Sequence, residues 1–142
     1  MVKKPLKIGL TGGIGAGKTT VSNIFKSLGV PIFNSDEQSK KLIIENQDVI
    51  KEIIEEFGEQ IIQKKTIHLR KLSHIIFANK KKLQSINNIL HPRVIELFEK
   101  WFKKQNCKYI IKESALLFES NTVNNLDKII LVKAQKKYRI KR

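Results

Sequence analysis

The stretch Gly12-Gly13-Ile14-Gly15-Ala16-Gly17-Lys18-Thr19 decides how this chain is read. It fits the phosphate-binding pattern G-x-x-x-x-G-K-[ST], and its flanks fit as well. Before it, Lys7-Ile8-Gly9-Leu10-Thr11 reads as a short buried strand. After it, Thr20 to Leu28 reads as a helix with Val21, Ile24, Phe25 and Leu28 on one face. Strand, glycine loop and helix in that order are the context such a motif requires.

The spacing has a chemical reason. A phosphate chain is densely negative, and backbone N–H groups can cradle it only where no Cβ blocks the approach. Gly12, Gly13, Gly15 and Gly17 remove that obstacle and permit positive φ. A helix beginning near Lys18 aims its unsatisfied N–H groups and positive dipole end at the same point. Ile14, Ala16 and Thr20 complete the predicted nucleotide loop. Lys18 supplies a point charge for the β- and γ-phosphates, and the Thr19 hydroxyl is placed to ligate Mg²⁺. A dinucleotide-binding G-x-G-x-x-G starting at Gly13 would need glycine at position 18, where Lys18 stands. The pattern therefore favours a nucleoside triphosphate such as ATP over NAD.

Length and composition bound the rest. The 142 residues make one domain, or one domain with a small insert, and 41% hydrophobic content suffices for a core. No apolar run is long enough to cross a bilayer, so no membrane association is expected. Met1-Val2-Lys3-Lys4-Pro5 is basic but leads into a strand, not a signal segment. A single cysteine, Cys107, excludes an internal disulfide. Together these features predict a cytoplasmic protein. The net charge of +15 is spread along the chain beside many Ile and Asn residues, in the manner of a compositional bias, and the basic runs Lys80-Lys81-Lys82 and Lys136-Lys137 are short. This argues against a nucleic-acid partner and for a cleft that takes a polyanionic nucleotide. His68, His74 and His91 lack metal-ligand spacing. No oligomeric state is read from the chain.

Gly29 stops the first helix, and Val30-Pro31-Ile32-Phe33 reads as a second strand ending in Asn34-Ser35-Asp36. In an open parallel sheet, ligands bind beyond the carboxyl ends of the strands. Asp36 should therefore emerge on the same edge as the phosphate loop. There it could accept a substrate hydroxyl proton or cap the following helix. From Glu37 to Gln105 the chain reads as largely helical, with apolar stripes such as Val49, Ile50, Ile53, Ile54 and Phe57, with Ile61-Ile62 short and open to either reading, and with His91-Pro92 interrupting a later stripe. So long an excursion between strands predicts an inserted helical subdomain over about 37–105, within a core of about 1–36 and 106–142. Lys108 to Lys112 reads as a third strand closed by Glu113, an acid placed to hold Mg²⁺ through water. Ser114 to Glu119 reads as a compact loop. A fourth strand lies within Leu126 to Val132, and Lys136 to Arg142 begins a basic helix.

Four segments taken together resemble the dephospho-CoA kinase family. They are Ile8 to Val21, Phe25 to Asp36, Ile76-Phe77-Ala78-Asn79 followed by Leu90-His91-Pro92-Arg93, and Ala115-Leu116-Leu117-Phe118-Glu119. The resemblance implies an α/β P-loop kinase core with a parallel sheet, flanking helices and a helical substrate-binding insert. It implies ATP-dependent phosphorylation of the 3′-hydroxyl of dephospho-CoA, the last step of coenzyme A synthesis, with Mg²⁺. By motif position, Gly12 to Thr20 would bind ATP. Asp36 would be the base or orienting group. His91, Arg93, Leu116, Leu117 and Glu119 would bind the acceptor, and Thr19 and Glu113 would lie at the metal. Ala115 stands where the family usually has proline. The family pattern continues past Arg142 into a lid helix and a final strand, so the expectation is a chain lacking both, with weak or absent activity and an exposed sheet edge. The rival readings are a nucleoside or nucleotide monophosphate kinase and a nucleotide-dependent binding module.

Overall fold

A four-stranded, all-parallel sheet carries the phosphate loop. The computed structural model describes residues 3–13, 15–115 and 125–135. The predicted basic helix from Lys136 and most of the predicted 114–119 loop lie outside the described residues. By its contacts the chain divides into two units, residues 1–36 with 98–142 and residues 37–97.

The first unit holds the sheet. Its strands are β1 (Leu6–Gly12), β2 (Ile32–Asn34), β5 (Tyr109–Glu113) and β6 (Lys128–Val132), in the order β2-β5-β1-β6. Helix α1 (Lys18–Ser27) joins β1 to β2. β1 and β5 lie inside the sheet, and Leu10, Ile110 and Ile111 are fully buried. One side of the sheet packs an aromatic cluster. The Phe33 ring lies 5.2 Å from Phe98 and 5.4 Å from Trp101, and Phe102 stacks 5.9 Å from Phe98. Phe98, Trp101 and Phe102 belong to the part of the chain after residue 97 that is counted with this unit. The predicted α1 stripe is only partly used. Phe25 meets Tyr109 edge to face, while Ile24 and Leu28 remain exposed.

The same cluster contains an unexpected charge. Lys112, on β5, is 4% exposed, and its ammonium lies 4.6 Å from the centre of the Phe98 ring. Burial lowers its pKa below the usual lysine value, and the Lys7 charge acts the same way, while Glu99 opposes them. Below its folded pKa the ammonium is charged in both states, and burial makes it cost stability. As pH rises through that pKa towards the ordinary lysine range, the unfolded chain binds more protons and stability rises. Lys112→Met should therefore raise the unfolding free energy by about 1 kcal/mol near neutrality. The gain should shrink as pH approaches the lysine range. Urea denaturation of both proteins across that range checks this, and a gain independent of pH would count against it.

The second unit is helical with one small hairpin. Helix α2 (Ser35–Glu45) leads into it, and α3 (Gln47–Phe57) follows. In α3, Val49, Ile53 and Phe57 are buried at four-residue spacing, Asn46 Oδ1 caps the Val49 N–H, and Gly58 at φ 85° ends the helix. A 3-10 turn (Glu59–Ile61) then leads into strands β3 (Ile62–Gln63) and β4 (Thr66–Ile67), which pair antiparallel. The helical expectation for this segment is thus corrected. Lys64 and Lys65 both take positive φ to make the two-residue turn. His68 caps α4 (Leu69–Ala78), its Nδ1 accepting from the Lys71 N–H at 3.2 Å.

Helix α5 (Lys80–Lys103) runs unbroken through Pro92, which corrects the expected interruption at His91-Pro92. One feature explains it. Ile86, Leu90, Val94, Phe98 and Phe102 are all buried, so one stripe keeps its phase across the proline. In the next turn the Arg93 guanidinium donates to the Ile89 carbonyl at 2.8 Å. No helix among the described residues is long and apolar enough to cross a membrane.

Candidate active site

The site begins where β1 runs out. Gly12 pairs with Val132 of β6, and a Cβ on Gly12 would sit 2.8 Å from the Val132 carbonyl oxygen. Glycine is required there because two backbones approach closely. Gly15 and Gly17 serve a different need, with φ of 73° and 94°. Gly17 is the residue before α1, in the left-handed conformation, and no side chain caps the helix. The first turn of α1 contains no acidic residue. Its free N–H groups and dipole therefore act on whatever occupies the loop. The Ala16 N–H donates to the Gly13 carbonyl at 3.1 Å, closing the loop.

The loop encloses a cavity of about 340 Å³, bounded by Gly12, Gly13, Gly15 to Thr20, and Ala115. Lys18 is half-buried at its wall and forms no ion pair among the described residues. Thr19 and Thr20 are exposed. Ile14, the remaining predicted loop residue, lies outside the described residues.

Asp36 stands in the first turn of α2, directly beyond β2. Its Oδ2 accepts a hydrogen bond from the Ala115 N–H at 3.1 Å. Ala115 itself lines the loop cavity. The carboxylate is thus one hydrogen bond from the cavity wall and is half-buried. The capping role weighed for Asp36 is replaced by this longer-range bond to the end of β5. Next to it, the Ser35 hydroxyl is buried and has no hydrogen-bond partner among the described residues.

Glu113 closes β5 and is 6% exposed. Its only hydrogen bond given by the described residues is a long one, 3.5 Å, from the Asn34 amide. A buried carboxylate with so little compensation is poised for a hard cation. Among the described residues no three His, Cys, Asp or Glu side chains gather into a metal cluster. Mg²⁺ bound with a nucleotide needs only one or two protein oxygens, so Thr19 and Glu113 fit that requirement.

The remaining predicted residues divide. His91 and Arg93 lie on the part of α5 that belongs to the second unit. There Arg93 is committed to Glu52 of α3: Nη1 lies 3.3 Å from Oε2, Nη2 is in closer contact with Oε1, and the hydrogen bond raises the arginine pKa. Sequence reasoning missed this pairing because Glu52 and Arg93 are far apart in the chain. Leu116, Leu117 and Glu119 lie outside the described residues.

A glycine loop at a helix N-terminus, an ammonium at the wall of its cavity and a carboxylate beyond the next strand are the parts that phosphoryl transfer uses. By class the molecule is a phosphate-loop kinase. The family model for dephospho-CoA kinase matches residues 6–142, and the chain belongs to that family. A dephospho-CoA kinase from Bacteroides fragilis is 38% identical over 138 residues, covering 96% of this chain and 67% of its own length. One from Fusobacterium nucleatum is 42% identical over 126 residues, covering 88% and 65%. The chain therefore spans about two thirds of the length of these relatives. A crystal structure from Thermus thermophilus superposes with a TM-score of 0.87 at 27% identity, covering 98% of this chain and 71% of that one. The dephospho-CoA kinase from Campylobacter jejuni superposes with a TM-score of 0.67 at 29% identity, covering 88% and 64%.

Proposed function

We propose that this chain transfers the γ-phosphoryl group of ATP to the 3′-hydroxyl of dephospho-CoA, with Lys18 and Asp36 as its principal catalytic groups. The observation that carries the reading is the hydrogen bond from Ala115 to Asp36. It ties the carboxylate to the wall of the cavity that contains the unpaired Lys18. The loop amides from Gly12 to Thr20 bind the phosphates. Lys18 stabilises charge on the moving group, and Asp36 orients the acceptor hydroxyl and takes its proton. Thr19 and, through water, Glu113 would hold Mg²⁺. That ion supplies charge neutralisation on the triphosphate when bound. His91 stays a candidate for acceptor contact. Arg93 is a further candidate for acceptor contact, held in place by Glu52 and the Ile89 carbonyl through Nη1 and one Nη2 hydrogen.

A coupled ADP-release assay with Mg-ATP tests this. With dephospho-CoA as acceptor, kcat/KM should exceed that with AMP by at least about a hundredfold, as expected of a site built to hydrogen-bond its acceptor. The product should comigrate with CoA. Equal or faster phosphorylation of AMP would overturn the choice of acceptor. The family model and the relatives described above all favour dephospho-CoA.

A further inference from the structure

At the other end of the sheet from the phosphate loop, the starts of β1 and β6 border a second cavity of about 550 Å³. The five residue steps from Lys7 to Gly12 separate the two by roughly 16 Å. Four lysines line it, Lys3, Lys4, Lys7 and Lys103. Its two acids are already engaged. Glu99 accepts from the Lys7 ammonium at 3.2 Å. Asp127 Oδ2 accepts from the Lys7 backbone N–H at 2.7 Å, and the Asp127 N–H donates back to the Lys7 carbonyl at 2.8 Å. Lys3, Lys4 and Lys103 are exposed and form no ion pair among the described residues.

Behind this rim the charge is also unbalanced. The Lys7 ammonium lies 4.5 Å from the Phe102 ring centre and 5.6 Å from that of Phe98. Lys112 lies on the same Phe98 ring and has no carboxylate within ion-pair distance among the described residues. Among the described residues one carboxylate, Glu99, therefore faces two ammonium groups, Lys7 at 3.2 Å and, at longer range, the buried Lys112. Such a surplus attracts an anion to the adjoining space more strongly than scattered surface lysines would. The cavity also offers apolar surface in Pro5 and the exposed Leu6. Its size is that of a small-molecule site.

We propose that this cavity binds a small organic phosphate, with the phosphate between Lys4 and Lys103 beside Lys7, and its apolar part on Pro5 and Leu6. The site is separate from the phosphate loop and fills independently of ATP.

Phenyl phosphate titrated into the full chain, followed by amide NMR shifts, tests it. The expected result is saturable movement centred on Lys7, Lys103 and Asp127 that persists with the loop saturated by ATP. The Lys4→Glu/Lys103→Glu protein should bind at least about tenfold more weakly. The neutral pair Lys4→Gln/Lys103→Gln should fall between the two, and unmoved signals from β5 report that each variant is folded. Inorganic phosphate should bind less tightly than phenyl phosphate, because it lacks the apolar part. Shifts confined to Gly12–Thr20 and erased by ATP would overturn the proposal. So would non-saturable shifts, charge-reversed protein that binds as well as the parent, or equal affinity for the two probes. ATP affinity measured in the same samples reports on the phosphate loop alone, so failure here is distinct from failure of the kinase reading.

Discussion

Asp36→Asn is expected to lower kcat with dephospho-CoA by about 10²- to 10⁴-fold, the usual contribution of a positioned general base. ATP affinity should stay within about twofold, because the loop amides and Lys18 are untouched. Asparagine is the informative choice. It keeps an oxygen that can accept the Ala115 N–H, so the tether between α2 and the end of β5 survives while the proton acceptor is lost. Asp36→Ala removes both, and should add a loss of stability of about 1 kcal/mol to the catalytic defect. Steady-state kinetics, nucleotide titration and urea unfolding on the three proteins separate the roles. If Asn and Ala lose stability equally while turnover is unchanged, Asp36 is a tether only, and the catalytic assignment fails.

Gly12→Ala is expected to be the most damaging single methyl group in the loop. The new Cβ would lie 2.8 Å from the Val132 carbonyl oxygen, a backbone atom with no rotamer to escape into. β1 must then move off β6 at the root of the phosphate cavity. Overpacking of this kind costs about 1–3 kcal/mol, and the displaced loop should weaken ATP binding as well. Gly29→Ala is the control. Gly29 has φ of 83°, but nothing lies within 4 Å of its added Cβ. Its cost should be about 1 kcal/mol of backbone strain, with ATP binding unchanged. Urea midpoints and ATP titrations compare the two. A Gly12→Ala protein as mild as Gly29→Ala would show that the strand pair yields without disturbing the loop.

What the residue order revealed follows the range of the forces involved. The phosphate loop was legible because its glycines, lysine and threonine are adjacent and its flanks carry short-range strand and helix patterns. Asp36 was placed on the right edge by strand direction alone. The Ala115 contact was not legible, because it joins positions 79 apart. The hairpin around Lys64-Lys65 escaped because its left-handed turn uses lysines, where glycine or asparagine would have signalled it. Pro92 was read as a breaker because local propensity weighs against it. The four-residue rhythm from Ile86 to Phe102 continues through it, and tertiary packing prevailed. Lys112 was read only as part of a strand, since nothing near it in sequence foretells the Phe98 ring.

The position of β1 in the sheet has a consequence for synthesis of the chain. Among the described strands it precedes both of its partners by about a hundred residues, with Leu6 paired to Tyr109 and Ile8 to Lys128. At about 5–20 residues per second, the ribosome needs roughly 5–20 s to reach β5 after finishing β1. Through that interval the loop's glycines have no neighbouring strand to hold them. The helical residues 37–97 meanwhile close much shorter loops, which cost less entropy. Nucleotide affinity is therefore a late property of the nascent chain, acquired when β5 and β6 enclose a strand that emerged long before them.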